Sequence, residues 1–128
     1  MFDQEHLEKI EEGVRLFNEQ KYWECHEVLE DLWMEDRNDP VRYVYWAVIQ
    51  VAAVCIHYRD QNIAGARGMI YKAKEKFRKC RELHVLSDLV FKHLDWEELE
   101  RLAHEVPEGE KAQLGDFKDL FEFRFKHF

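Results

Sequence analysis

The sequence predicts an all-α protein, a compact bundle of five or six helices built on two antiparallel helical hairpins. Three observations carry this expectation. Only 5 of the 128 residues are Gly and 2 are Pro, so loops should be few and short. Apolar residues make up 46% of the chain, enough to build a core although 36% of residues are charged. Apolar positions recur at helical spacing over most of the length, and strand-like alternation competes only in the tail. The length suits one domain over 1–128, with core hairpins at about 3–35 and 40–81 and a C-terminal part at 87–128.

The first helix is expected from the N-cap Asp3 to Phe17, with Leu7, Ile10, Val14 and Phe17 on its buried face. Asn18-Glu19-Gln20 links it to a second helix over about Lys21 to Glu35. Asp39-Pro40 then reads as an N-cap followed by the first helical position of a third helix, ending near Tyr58. That helix is apolar nearly all round, which places it at the centre of the bundle. Its uncharged run, Tyr43–Tyr58, is shorter than the roughly 20 apolar residues a membrane span needs, so no membrane association is expected.

Arg59-Asp60-Gln61-Asn62 turns the chain into a fourth helix, about Ile63 to Arg81, whose stripe is Ile63, Ala66, Ile70, Ala73, Phe77 and Cys80. Gly65 and Gly68 each cost about 1 kcal/mol of helix propensity, and so point to close helix approach. Ser87 can cap a short helix to His93. Asp95-Trp96-Glu97-Glu98 spells a capping box for another to Glu105, ended by Pro107 and Gly109. From Asp116 the chain is rich in Phe. Phe117, Leu120, Phe121 and Phe128 fit a helical face, whereas Phe121, Phe123 and Phe125 fit strand alternation. A last helix packing its rings onto the bundle is expected; left exposed, these rings would favour a protein partner or a homodimer.

Several function classes drop out. Ser87 is the only aliphatic hydroxyl, which removes serine- and threonine-nucleophile enzymes, and no Gly-rich phosphate loop occurs. A net charge of −8 argues against nucleic acid. The charge is unevenly spread. Residues 1–39 hold 13 acidic and 4 basic side chains, while 67–81 hold seven basic ones beside the single Glu75. That basic stretch reads as steering between helices, or as a partner-binding face made by Lys72, Lys76 and Lys79. Cys25, Cys55 and Cys80 lack any Cys-x-x-Cys pairing and lie in apolar patterns, as reduced thiols of a cytoplasmic protein would. The acidic opening Met1–Glu12 has no signal-peptide pattern.

One constellation stands out. On the second helix His26, Glu30 and Trp33 share a side with Tyr22 and Leu29, while Glu27 falls on the solvated flank. On the third, Tyr43, Trp46, Gln50, Val54 and His57 share a side. Facing one another, His26, Glu30, Gln50 and His57 would form a polar pocket in an oily seam, where a carboxylate needs a partner. Three uses fit: a hydrogen-bonded network fixing helix register, a small-molecule pocket with Glu30 as base or anion, or a divalent-metal site of His26, Glu30 and His57. The Glu-x-x-His pairs of di-iron bundles and the His-Glu-x-x-His spelling are both missing. His6, His84, His93, His104 and His127 fall on expected surfaces.

The two hairpins align at an offset of 41 residues, Gln20-Lys21 onto Gln61-Asn62, and resemble tetratricopeptide-like helical pairs. Phe17-Asn18, Tyr22-Trp23-Glu24 and His26-Glu27-x-Leu29-Glu30-x-x-Trp33 resemble the hallmark of the domain-of-unknown-function 309 family. Ala47-x-Ile49-Gln50-x-Ala52-Ala53 with His57, then Asn62 and Gly65-Ala66, resemble its further blocks. The resemblance implies a small bacterial or archaeal helical bundle without an assigned activity, and points to His26, Glu27, Glu30, Trp33, Gln50 and His57. The reading that follows is a non-enzymatic helical domain that binds a ligand or protein partner, with this buried cluster mainly organising the core. The alternative is a metal- or general-base-assisted enzyme acting there on a small molecule.

Overall fold

Helix boundaries follow from where backbone groups find partners, and the computed structural model, which describes residues 1–128, shows those partners. The chain forms α1 (Gln4–Asn18), α2 (Tyr22–Glu35), α3 (Arg42–Arg59), α4 (Ile63–Glu82), α5 (Asp88–His93), α6 (Trp96–Glu105) and α7 (Lys118–Glu122). Two 3-10 turns, Gly109–Lys111 and Leu114–Phe117, lie between α6 and α7, and there is no strand. No helix is long and apolar enough to cross a membrane.

Asp3 caps α1 as its sequence suggests. The Asp3 carboxylate accepts from the His6 N–H (3.1 Å) and the Asp3 N–H donates to His6 Nδ1 (3.0 Å), with His6 in the place usual for Glu or Gln. The other ring nitrogen, His6 Nε2, lies 2.9 Å from Asp39, so this His ties α1 to the start of α3 and is not a loose surface residue. Asp39 spends its other oxygen on the Val41 N–H (3.0 Å), making Pro40-Val41 a turn. Regular helix therefore begins at Arg42, two residues after the Pro.

The α1–α2 and α3–α4 turns are built alike. Gln20 and Gln61 are both left-handed, with φ of 61° and 57°. The next N–H in each case reaches back to close the helix end, Lys21 to the Leu16 carbonyl (2.9 Å) and Asn62 to that of His57 (2.8 Å). Val85 does the same to Cys80 (3.3 Å) after His84, at φ 53°. These are Schellman closures, made here without Gly. The offset of 41 residues thus has a structural counterpart in matching turns.

α3 is the central helix, with α2 and α4 packed on it and α1 packed on α2. The buried apolar residues of the whole chain, 37 of them, form one connected cluster. Gly65 lets α3 and α4 approach: a Cβ there would stand 2.3 Å from the His57 ring. Gly68 has nothing within 4 Å and makes no such approach, against expectation.

The C-terminal part departs from the sequence reading in three ways. Ser87 stands at the start of α5, but its hydroxyl donates to the Phe2 carbonyl (2.5 Å) and caps nothing. Asp95 does not cap α6. Its backbone is left-handed (φ 46°), and its carboxylate accepts from the N–H groups of Lys126 (2.8 Å) and His127 (3.3 Å) and contacts the His127 ring. The tail divides, with α7 ending at Glu122 and extended chain following. There Phe123 and Phe125 are buried against Phe17, and Asn18 pairs with both backbone groups of Phe125 at 3.0 and 2.8 Å. Helical and alternating patterns each hold for their own stretch. The aromatic tail is core, and only Phe128 among its Phe residues is exposed.

Candidate functional site

The half-exposed residues of α3 include Tyr43, Trp46, Gln50, Ala53 and His57, at the i, i+3, i+7, i+10, i+14 spacing of one stripe. This stripe lies between α2 and α4 and is the only face on which the central helix reaches solvent along its length. The residues singled out by sequence are distributed along it in three groups.

The first is on α2. His26 Nδ1 stands 3.4 Å from the Glu30 carboxylate, with the Trp23 ring edge-on to the imidazole at 5.9 Å. Glu30 does not lie in a closed seam: its side chain is 47% exposed and that of His26 28%. One helical turn separates them, so the pair forms within α2 and water screens it. Glu27 is exposed and stands apart from this pair.

The second lies at the other end of α3. Asn62 Oδ1 accepts the Gly65 N–H (3.0 Å), which caps α4 and fixes the amide orientation. Its Nδ2 then donates to His57 Nδ1 (3.1 Å), so that nitrogen is an acceptor and the ring proton sits on Nε2. His57 is thereby committed to α4, its ring flat against Gly65. The expected four-residue pocket is accordingly not formed. His26 and Glu30 pair with each other, His57 pairs with Asn62, and no hydrogen bond or ion pair joins the two sets. Nowhere are three His, Cys, Asp or Glu side chains gathered to hold a metal ion, so His26, Glu30 and His57 do not make one donor set.

The third group was only half visible in the sequence. Trp33 of α2 packs on Trp46 of α3 (4.9 Å between ring centres), and Tyr43 stacks on Trp46 at 5.4 Å. Arg42 lies over Trp33 (5.1 Å) and Tyr43 (5.8 Å), and Lys76 Nζ sits 4.3 Å above the Trp46 ring. Each such cation–aromatic contact is worth about 0.5–2 kcal/mol, the more when water is excluded. Lys76 is only 7% exposed, so it is no part of a loose basic surface. Two buried polar atoms nearby have no partner, the Trp33 Nε1–H donor and the Gln50 Oε1 acceptor. Arg42 over Trp33 could be anticipated only by placing α2 beside α3, and Lys76 over Trp46 only by placing α4 there.

The cysteines carry no chemistry here. Cys25, Cys55 and Cys80 are buried and unpaired, and burial pushes each thiol up to about 12.

The stretch holding the first two groups, and most of the third, is also where known proteins are similar. Residues 10–69 match the family model of a Domain of unknown function (DUF309). This is the family whose resemblance the sequence reading named. Over 49 residues the chain is 41% identical to the uncharacterized protein YpuF of Bacillus subtilis (strain 168). That alignment covers 38% of this chain and 28% of YpuF, so the chain spans little more than a quarter of its curated relative. No solved structure matches the chain. The matched stretch ends within α4, before Lys76, and so leaves out that cation of the third group.

Proposed function

We propose that this protein is a binding module of a bacterial cytoplasm, and that its binding face is the open stripe of α3 between α2 and α4. One observation carries the reading. The most apolar helix of the bundle opens toward solvent along one line, and that line holds Tyr43, Trp46, Gln50 and His57 where a purely structural helix would carry small or aliphatic residues. Trp33 and Gln50 add a buried donor and acceptor without partners, which cost about 1–3 kcal/mol each unless a bound group meets them. In this reading His26, Glu30 and Trp33 form the α2 bank of the face, Gln50 and His57 its floor, and Glu27 stands outside it on the solvated flank. The His26–Glu30 pair, half-open to solvent, serves recognition there.

The test is a nuclear magnetic resonance screen of the full chain against carboxylates, amides, phosphates and Zn²⁺. Perturbations gathered on the Trp33 and Trp46 indoles, Gln50 and His57 are expected. Ligands that perturb only other surfaces, or turnover of a small molecule abolished by His26→Ala with stability intact, would overturn the reading.

A further inference from the structure

Within that face, and resting on the same reading, the structure also indicates a ligand chemistry. A cleft of about 390 Å³ lies between the N-terminal part of α3 and the C-terminal part of α4, lined by Tyr43, Trp46, Lys76, Arg78 and Lys79 with Glu75 and Glu82 at its rim. We propose that this cleft binds carboxylates of an acidic protein segment, with Lys76 as anchoring cation and Glu75 as the internal carboxylate that the segment displaces.

Lys76 buries its stem and keeps its ammonium at the cleft, on the face of Trp46. Its one ionic partner is the Glu75 carboxylate at 2.9 Å. Consecutive helical residues point about 100° apart, so this pair forms only by both side chains bending toward each other. The Glu75 side chain is 56% exposed, hence water already competes for it. An incoming carboxylate can take its place without uncovering any apolar surface. Around this anchor stand Arg78, exposed and without an ionic partner, and Lys79, held loosely by Glu82 at 3.8 Å.

Carboxylate fits better than phosphate. The first N–H groups of α3, those of Arg42, Tyr43 and Val44, are spent on the carbonyls of Asp39, Pro40 and Val41, so no helix N-terminus is open to a phosphate. The cleft also lies toward the negative end of the α4 dipole and between two Glu, which disfavours a doubly charged group. A polyanion as long as a nucleic acid would meet a molecule of net charge −8. A short acidic segment meets the three local cations alone.

The experiment titrates the full chain with a blocked Glu/Asp hexapeptide at low ionic strength, reading Trp fluorescence and resonance shifts. Inorganic phosphate and a Lys hexapeptide are run in parallel. Saturable binding of the acidic peptide that weakens with salt is expected. Lys76→Met should weaken it about tenfold and the exposed Arg78→Ala about threefold, an order set by one or two charge-assisted contacts. Glu75→Gln should tighten binding about threefold, a gain that a merely structural pair could not give. Unchanged or weaker binding by Glu75→Gln, or phosphate binding as tight as the peptide, overturns the proposal. Peptide shifts confined to the His57 end and indifferent to Lys76→Met overturn it too, while leaving the binding face itself standing.

Discussion

The two faces of α4 carry the same kind of residue and do opposite things with it. On one face Arg67, Lys74 and Arg81, spaced seven apart, are spent on the C-terminal half of the chain. Arg67 donates to the carbonyls of Ala112 (3.0 and 2.7 Å) and Glu110 (3.1 Å), and Arg81 pairs with Glu100 of α6. Lys74, 3% exposed, donates to the Val106 carbonyl (2.5 Å) just past the end of α6, where a cation also meets the negative end of the helix dipole. On the other face the carboxylates that pair with Lys76 and Lys79 are neighbours on their own helix, Glu75 and Glu82, although Lys76 also rests on the Trp46 ring of α3. Composition alone labels both faces basic. What separates them is whether the partner is distant in sequence and held by the fold, or local and exchangeable.

The largest expected effect tests that division directly. Lys74→Met keeps the stem but removes the donor from a buried carbonyl, and should cost about 1–3 kcal/mol in urea unfolding. Lys79→Met, on the cleft face, should change stability by less than about 0.5 kcal/mol. Equal effects at both positions would dissolve the distinction between clamp and cleft.

The next contrast sits at the start of the same helix. Gly68→Ala meets nothing within 4 Å and should stabilise by up to about 1 kcal/mol through helix propensity alone. Gly65→Ala gains the same propensity but drives the His57 ring, 2.3 Å from the new Cβ, off its place. Overpacking of this kind costs about 1–3 kcal/mol, so the net change should be destabilising. The His57 resonances should shift as the Asn62 contact breaks. If Gly65→Ala is as stabilising as Gly68→Ala, the α3–α4 approach is looser than described.

How much of this was readable beforehand depended on the range of the interactions. The four long helices were legible because their signals are local: Asp3 before α1, Asp39-Pro40 before α3, and stripes such as Leu7, Ile10, Val14 and Phe17, all of which are buried. The Asp95 box misled because a carboxylate that can cap a helix can equally bind two tail amides, and only the fold decides which lies nearer. His6 looked superficial for the same reason, its partner Asp39 being 33 residues away. At the candidate site Tyr43, Trp46, Gln50 and His57 of α3 share one half-exposed stripe, but Val54, read together with them, is buried, and Glu30 is half exposed where an enclosed seam was expected. The polar pocket failed, since Asn62, a cap residue, claims His57 first. Lys76 over Trp46 depended on the register of two helices, which no spacing within either one records.

The cysteines extend the same lesson to reactivity. With each thiol pushed up to about 12 by burial, thiolate is scarce at pH 8, and an aromatic disulfide reagent should label none of the three in the folded protein. Cys80 lies on the buried side of α4, so its labelling should appear only together with global unfolding. Prompt labelling of Cys80 alone would mean that the face of α4 carrying the clamps opens locally.

The smallest effect concerns His104 of α6, which packs near Phe77 and feels α4 across the interface. Partial burial holds its pKa below the ordinary 6.5, and Arg78 and Lys74 push in the same direction against Glu100 and Glu108. The unfolded chain therefore takes up a proton at a higher pH than the folded one. Stability is complete above the ordinary His range and declines as pH falls from 6.5 toward the depressed folded value. Because the ring is largely solvated, the slope should be a fraction of one proton. His104→Gln should flatten that part of the stability–pH curve, and Arg78→Ala should flatten it in part while leaving unfolding at neutral pH almost unchanged. A slope that survives His104→Gln would belong to another group and would remove His104 as its source.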